Sequence, residues 1–326
     1  MRMMRIPVAD ATTPLVLSPM VDVTDAAFRS VAREWGADVT CSEMVSAVGL
    51  LHDNRAAWEH VAPWPGERPY GVQFMCGEPE EMGAAVRKLG TRLRPDFVDV
   101  NLGCPAPSIM KLCAGGFLMK DPKKAGAVVK AARDAADEVG IPHVSVKMRL
   151  GPDERHLTYL EVAKEAKAAG AAWATLHART VAQGYSGAAR WEHIARLVEA
   201  SGLPIVGNGD LRTPEDVVRM RDTTGCAGFF IARAAMHDPT VFTRMRESLE
   251  GRPAAPGPAM KERLQTLLVY LERAESIGLR NTGLMRRQAM RFVAGGPGAK
   301  RLRVIVGECN DAAEIREAVA AELAAA

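Results

Sequence analysis

The chain lacks the marks of several protein classes. Its 6 cysteines, Cys41, Cys76, Cys104, Cys113, Cys226 and Cys309, form no C-x-x-C pair, and no histidine stands at zinc-finger spacing. No structural metal is expected, and no compact disulfide framework; free thiols in a reducing cytoplasm are the simplest state. No apolar run approaches the roughly 20 residues that span a bilayer. Residues 1–11 read as too short and too polar for a signal peptide, so a cytoplasmic protein without membrane association is expected. Charge of one sign is also missing. The 42 Lys and Arg against 39 Asp and Glu leave a net charge of +3, too little for a global polyanion binder. What is present is ordinary: 326 residues, 48% hydrophobic and 25% charged, with mean hydropathy −0.07. That length suits one large domain plus a small one.

Short apolar runs alternate with longer amphipathic stretches. Strands are predicted at 15–18, 38–41, 70–74, 97–101, 144–148, 174–177, 205–207 and 228–231, with helices between them at 80–89, 122–138, 159–169, 194–200 and 214–221. Eight strand–helix units over about 250 residues predict a closed (β/α)₈ barrel. An open doubly wound sheet usually carries G-x-G-x-x-G after its first strand, and Leu17-Ser18-Pro19-Met20 stands there instead. The barrel domain is placed at 1–250. The Pro/Gly/Ala-rich segment 251–258 reads as a linker. A small all-helical domain is predicted over 259–326, with helices at 261–275, 282–293 and 311–324. Its Arg280, Arg286, Arg287, Arg291, Lys300, Arg301 and Arg303 occur with no acid between Glu275 and Glu308. Such a run is either a solvated helix face or a phosphate-contacting surface.

Barrels of this type gather functional groups at the C-terminal ends of their strands. The pentapeptide Asn101-Leu102-Gly103-Cys104-Pro105 ends one predicted strand and is followed by Ala114-Gly115-Gly116. A thiol there is a candidate proton donor or nucleophile. Gln73, Lys147, His177, Asn208 and Arg233 stand at other strand ends. Each taken alone has a structural explanation, but one polar group per strand end favours a site. Gly207-Asn208-Gly209-Asp210 and Ile231-Ala232-Arg233 follow the last two strands, where such barrels often bind phosphate. A lysine and a histidine beside a phosphate site would suit flavin mononucleotide, the cation meeting negative charge on the reduced ring. The same scaffold could hold a sugar phosphate.

These residues resemble the tRNA-dihydrouridine synthases, most closely the bacterial B-type branch. The matching segments are Leu17-Ser18-Pro19-Met20-Val21-Asp22-Val23-Thr24-Asp25, Ser42-Glu43-Met44-Val45, the 101–105 pentapeptide, Ala114-Gly115-Gly116-Phe117-Leu118-Met119, His177-Ala178-Arg179-Thr180, Gln183-Gly184-Tyr185-Ser186-Gly187 and Gly207-Asn208-Gly209-Asp210. Gly278-Leu279-Arg280 and Met285-Arg286-Arg287 extend the likeness into the tail. The resemblance implies FMN as cofactor and NADPH as reductant. Pro19 and Met20 would line the flavin ring, while Gln73, Lys147 and His177 would bond its polar edge. Asn208, Gly209, Asp210, Ala232 and Arg233 would hold the phosphate. Asn101 would face the target uracil, and Cys104 would give a proton to carbon 5 after hydride reaches carbon 6 from the reduced flavin. Such a thiol must stay protonated, so strongly cationic surroundings would count against it. The target base must also leave its stack. Arg179, Arg190, Arg280, Arg286 and Arg287 would contact tRNA, with the tail as the RNA-binding domain. A monomer is expected.

Three departures from the family pattern stand out. Ala232 replaces a usual Gly, which a negative φ would tolerate. Met110 and Leu112 replace a polar residue and a Lys in the loop after Cys104. Arg190 stands before Trp191 where an acid is common. Two other readings compete: a flavin barrel acting on a small molecule, and an RNA-binding paralogue without turnover. The basic helical tail disfavours the first, and the intact Cys104, Lys147 and His177 disfavour the second.

Overall fold

The computed structural model describes residues 4–279, 281–294 and 299–325. Its strands are β1 (Leu15–Leu17), β2 (Thr40–Cys41), β3 (Val45–Ser46), β4 (Tyr70–Met75), β5 (Phe97–Leu102), β6 (His143–Arg149), β7 (Trp173–His177), β8 (Ile205–Asn208) and β9 (Gly228–Ile231). All pair in parallel, in the order β1-β9-β8-β7-β6-β5-β4-β2, with β3 also on β4. The ring closes between β1 and the start of the second unit. Val16 bridges Val39, the Leu17 N–H donates to Val39 O at 3.0 Å, and the Asp38 N–H donates to Leu15 O at 2.8 Å. β2 and β3 share one position around the barrel, interrupted at Ser42-Glu43-Met44. The predicted (β/α)₈ barrel is therefore the fold, and all eight predicted strands are present.

The period-two pattern explains the interior. Inward positions near the N-terminal ends are apolar: Val16, Val39, Cys41, Phe97, Trp173, Val206 and Phe230 form one cluster. Phe97 and Trp173 meet edge to face, 4.9 Å between ring centroids. The alternate residues of the same strands, such as Val98, Val100, Val144, Val146 and Leu176, face the surrounding helices. Each fully buried Val or Leu contributes roughly 1.5–3 kcal/mol. One step along the inward face the chemistry changes. Gln73, Asp99, Asn101, Ser145, Thr175, His177 and Asn208 are buried polar residues. A packed apolar base thus carries a polar layer at the C-terminal end, the end that opens into the βα loops.

The predicted barrel helices appear as Pro79–Gly90, Pro122–Val139, Tyr159–Ala168, Glu192–Ser201 and Pro214–Thr224. Ala26–Glu34 follows β1 and starts at Asp25, whose carboxylate accepts from the Phe28 N–H at 2.9 Å. Residues 252–259 form neither helix nor strand. Among the described residues four helices follow: Met260–Ser276, Thr282–Phe292, Ala299–Glu308 and Ala312–Ala325. The third was not predicted; its run Lys300-Arg301-Leu302-Arg303 hides a sparse apolar face of Leu302 and Val306. The tail shares its core with the barrel. Phe28 meets Tyr270 and Phe292 edge to face at 6.5 and 6.3 Å. The Tyr270 hydroxyl donates to Asp25 Oδ2 at 3.0 Å, so the tail grips the cap of the first barrel helix.

Candidate active site

Strand register assembles the polar layer. Gln73 lies beside Asp99, Asp99 beside Ser145, Asn101 beside Lys147, Lys147 beside Thr175, and His177 beside Asn208. Gln73, Asn101, Lys147, His177 and Asn208, each expected at a strand end, therefore come together at the mouth. Pro19 and Met20 sit half-buried in the loop after β1. Cys104 lies just past β5, partly exposed.

The loop carrying Cys104 is built by its neighbours. Asn101 Oδ1 accepts from the N–H groups of Gly103 at 3.1 Å and Cys104 at 2.9 Å, an Asx-type turn. Asn101 Nδ2 donates to Gln73 Oε1 at 2.9 Å. Most of the Asn101 amide is thus committed to shaping this loop, leaving one Nδ2 hydrogen for a substrate. Behind the loop the Gly116 N–H donates to Cys104 O at 3.0 Å. A Cβ at Gly116 would fall 2.9 Å from that oxygen and 2.8 Å from Val181 Cγ2, so the Gly pair exists for close packing. Lys147 and Arg149 lie within electrostatic reach of Cys104.

Burial pushes the Lys147 ammonium down to about 8; Arg149 adds to this and Asp99 opposes it. Among the described residues its only hydrogen-bond acceptor is Asn208 Oδ1 at 3.2 Å, and Asn208 Nδ2 is fixed by Phe230 O at 2.8 Å. Two ammonium hydrogens are left for an anionic partner. Burial, then Lys147, Arg149, Arg179 and Arg233, hold His177 well below the ordinary imidazole range. The ring is neutral, and its Nε2 lies 3.3 Å from Arg179 Nη1. Nε2 is then the acceptor, and Nδ1–H, without a partner among the described residues, is a free donor. Thr175 Oγ1 is buried with no partner among the described residues. This donor set suits the electron-rich edge of a flavin ring.

At the ends of β8 and β9 the backbone N–H groups of Gly209, Asp210, Ala232 and Arg233 have no acceptor among the described residues. Gly209 has φ +117, and a Cβ there would meet Ala189 Cβ at 2.7 Å and His177 Cδ2 at 3.0 Å. That is a backbone cradle suited to a phosphate. Ala232 lies at φ −118, so the extra methyl is tolerated as expected. Asp210 is a correction. Its side chain cannot hold a phosphate, because Oδ2 takes Arg179 Nη2 at 2.7 Å and the Ala189 N–H at 2.8 Å, and Oδ1 takes Arg233 Nη2 at 2.9 Å. Burial opposes its charge, but these partners outweigh burial and hold it below the usual carboxylate range. Its carboxylate aims arginines, and only its N–H is left to meet an anion.

Arg179 is the second correction. It is 1% exposed. Besides Asp210 it donates to Gly187 O at 2.6 Å and Ser186 O at 3.2 Å. A guanidinium so enclosed has no edge left for RNA. Arg190 is reachable, paired with Glu154 at 2.8 Å. Arg287 is exposed and pairs with Asp22 at 3.2 Å, while Arg286 is half-buried. Arg280 lies outside the described residues. Met110 packs against the core, which accounts for its apolarity. Leu112 is 62% exposed, and nothing in the structure explains it.

The family model for dihydrouridine synthases matches residues 16–326. The chain belongs to the dihydrouridine synthase family. It is 32% identical over 303 residues to the probable tRNA-dihydrouridine synthase of Aquifex aeolicus, covering 92% of this chain and 93% of that one. It is 32% identical over 302 residues to tRNA-dihydrouridine synthase B of Pseudomonas aeruginosa strain PAO1, covering 91% and 89%. Among solved structures, histamine dehydrogenase from Rhizobium sp. 4-9 aligns with TM-score 0.54 at 14% identity over 83% of this chain and 50% of that chain. Morphinone reductase in complex with tetrahydroNAD aligns with TM-score 0.51 at 13% identity over 75% and 89%. At such identities the likeness concerns the barrel fold alone.

In this member of the family, residues outside the expected set also shape the mouth. Arg149 donates through Nε to Gly103 O at 2.8 Å and through Nη1 to Thr180 O at 2.9 Å and Gly184 O at 2.7 Å. It ties the Cys104 loop to the loop after β7. Tyr185, 65% exposed, stands over that loop, 5.7 Å from both the Arg149 and Arg233 guanidinium carbons. The legible signal for Arg149 was its place two residues after Lys147, on the same inward face.

The mouth is also joined to the tail. Glu43, buried, accepts from the Asp22 N–H at 2.9 Å. Asp22, at φ 60, offers its carbonyl to Arg291 at 2.6 Å. Burial pushes Glu43 up to about 7; Asp25 and Asp22 add to this, while the Asp22 N–H and Arg29 oppose it. A carboxyl raised in the fold binds its proton more tightly there than unfolded, so stability falls as pH rises from about 4.5 to 7 and levels off above. Glu43→Gln keeps an acceptor for Asp22 and removes the titration. Thermal melts should show variant and parent alike at pH 5, with the variant more stable by on the order of 2 kcal/mol at pH 8. A difference independent of pH would contradict this assignment.

Proposed function

We propose that this protein reduces specific uridines of tRNA to 5,6-dihydrouridine, with FMN at the barrel mouth and NADPH as reductant. The carrying observation is the convergence of the Lys147 ammonium, the neutral His177 and the open backbone cradle at 209–210 and 232–233 in a dihydrouridine synthase barrel. Lys147, His177 and Gln73 would meet the ring edge, Pro19 and Met20 its face, and the cradle with Arg233 its phosphate. FMN held there and reduced by NADPH would supply the hydride for carbon 6 of uracil. The chain's own tasks are then three. Lys147 holds a positive charge where electron density accumulates. Asn101, with its remaining amide hydrogen, orients the base. Cys104 gives carbon 5 a proton, on a loop fixed from both sides.

The tail serves in this reading as the RNA-binding domain, with Arg190 and Arg287 placing backbone phosphates beside the mouth. The test is direct. Purified protein should carry FMN stoichiometrically, and bulk tRNA from cells lacking the gene should lose dihydrouridine at defined positions that regain it on complementation. A colourless protein that binds tRNA, or unchanged dihydrouridine content, would overturn the proposal.

A further inference from the structure

Asp99 is a buried carboxylate with no task in the scheme above. It sits mid-strand in β5, facing the barrel interior, 1% exposed. Its Oδ1 accepts from Ser145 Oγ at 2.6 Å and its Oδ2 from Gln73 Nε2 at 2.7 Å. From Gln73 the bonds continue outward without reversal. Gln73 Oε1 accepts from Asn101 Nδ2, and Asn101 Oδ1 accepts from the Gly103 and Cys104 N–H groups. An amide has one donor end and one acceptor end, so each could face either way in isolation. An ionised carboxylate only accepts. Placed at the root, it forces Gln73 to turn its NH₂ inward and its oxygen toward Asn101. Asn101 must then present its oxygen to the turn that holds Cys104.

We propose that Asp99 is a positioning residue, an acceptor-only anchor that sets the direction of the Gln73–Asn101 hydrogen-bond chain and thereby the placement of the Cys104 loop. The argument has a second strand. Burial pushes the Asp99 carboxyl up, the Ser145 and Gln73 donors and then Lys147 oppose it in favour of the ionised form, and Asp99 in turn favours charged Lys147. Neutralising position 99 frees the chain to reverse. A reversed Gln73 would donate to Asn101 Oδ1 and leave Asn101 Nδ2 facing the two loop N–H groups, donor against donors. The turn would open in that fraction of molecules.

The catalytic part of this proposal rests on the reading of Cys104 as proton donor; the structural part does not. Asp99→Asn is isosteric and is measured in the full chain beside the parent. Alkylation of Cys104 by iodoacetamide, followed by peptide mass, needs neither flavin nor tRNA and is expected to speed up at least threefold. Among variant molecules bearing flavin, kcat for dihydrouridine formation is expected to fall at least tenfold with KM for tRNA within twofold. Alkylation at the parental rate overturns the proposal. Faster alkylation with a parent that forms no dihydrouridine would uphold Asp99's role and sink the proposed function instead. Should Asp99→Asn not fold, Ser145→Ala removes one donor from the carboxylate and keeps its charge. Cys104 alkylation in that variant should stay at the parental rate, because the charge that directs the chain is intact, and a threefold rise would overturn the proposal.

Discussion

Replacing Cys104 by alanine should slow uridine reduction by about 10²- to 10⁴-fold, the usual contribution of a positioned proton donor, while leaving FMN content and NADPH oxidation near the parental level. The split is expected because the loop does not depend on the sulfur. Its backbone is held by Asn101 in front and by the Gly116 N–H behind. Arg149 anchors it a third time through Gly103 O. Deleting one partly exposed sulfur should cost at most about 1 kcal/mol of stability, so a melt of the variant should superimpose on the parent. Single-turnover reduction of tRNA by the pre-reduced variant isolates the step. Wild-type turnover would mean that solvent or another side chain protonates carbon 5, and the adjacent Lys147 would be the next candidate.

How much of this was legible beforehand follows from which interactions are local. Strand positions were readable because β-strand alternation and turn residues are written in short windows, as at Phe97-Val98-Asp99-Val100. The strand-end polar set was readable because a barrel brings all those ends to one face. What failed was partner choice. Asp210 and Arg179 both looked like ligand contacts, yet they neutralise each other across 31 positions of sequence, and only the closed ring shows that they meet. Asp99 was overlooked for a related reason. Its polarity was visible inside an apolar run, but its meaning depends on Ser145 and Gln73 from the flanking strands. The short helix at Ala299–Glu308 was missed because its apolar face is thin: Ala299, Leu302 and Val306 recur at helical spacing, but Lys300, Arg301 and Arg303 lie between them.

Arg179→Ala should therefore behave as a core mutation and not as an RNA-contact mutation. The guanidinium joins Asp210, Ser186 O, Gly187 O and His177 Nε2 within one enclosed space. Its removal leaves a carboxylate short of one partner and two carbonyls unbonded, at a cost of roughly 3 kcal/mol. A melting temperature lowered by several degrees and weakened FMN retention are expected, since Asp210 would no longer hold Arg233 and the cradle in register. The slope of log affinity for tRNA against log salt should stay unchanged in the protein that remains folded. Arg190→Ala should do the reverse. Its pair with Glu154, half-buried on the arginine side and exposed on the other, is worth little to the fold, but loss of one phosphate contact should reduce the salt slope by about one. If instead Arg179→Ala lowered the slope at constant melting temperature, the guanidinium would have to leave its enclosure in the complex. The loop from Thr180 to Gly187 would then be the part of the barrel that rearranges around RNA, because the two carbonyls it would abandon both lie there.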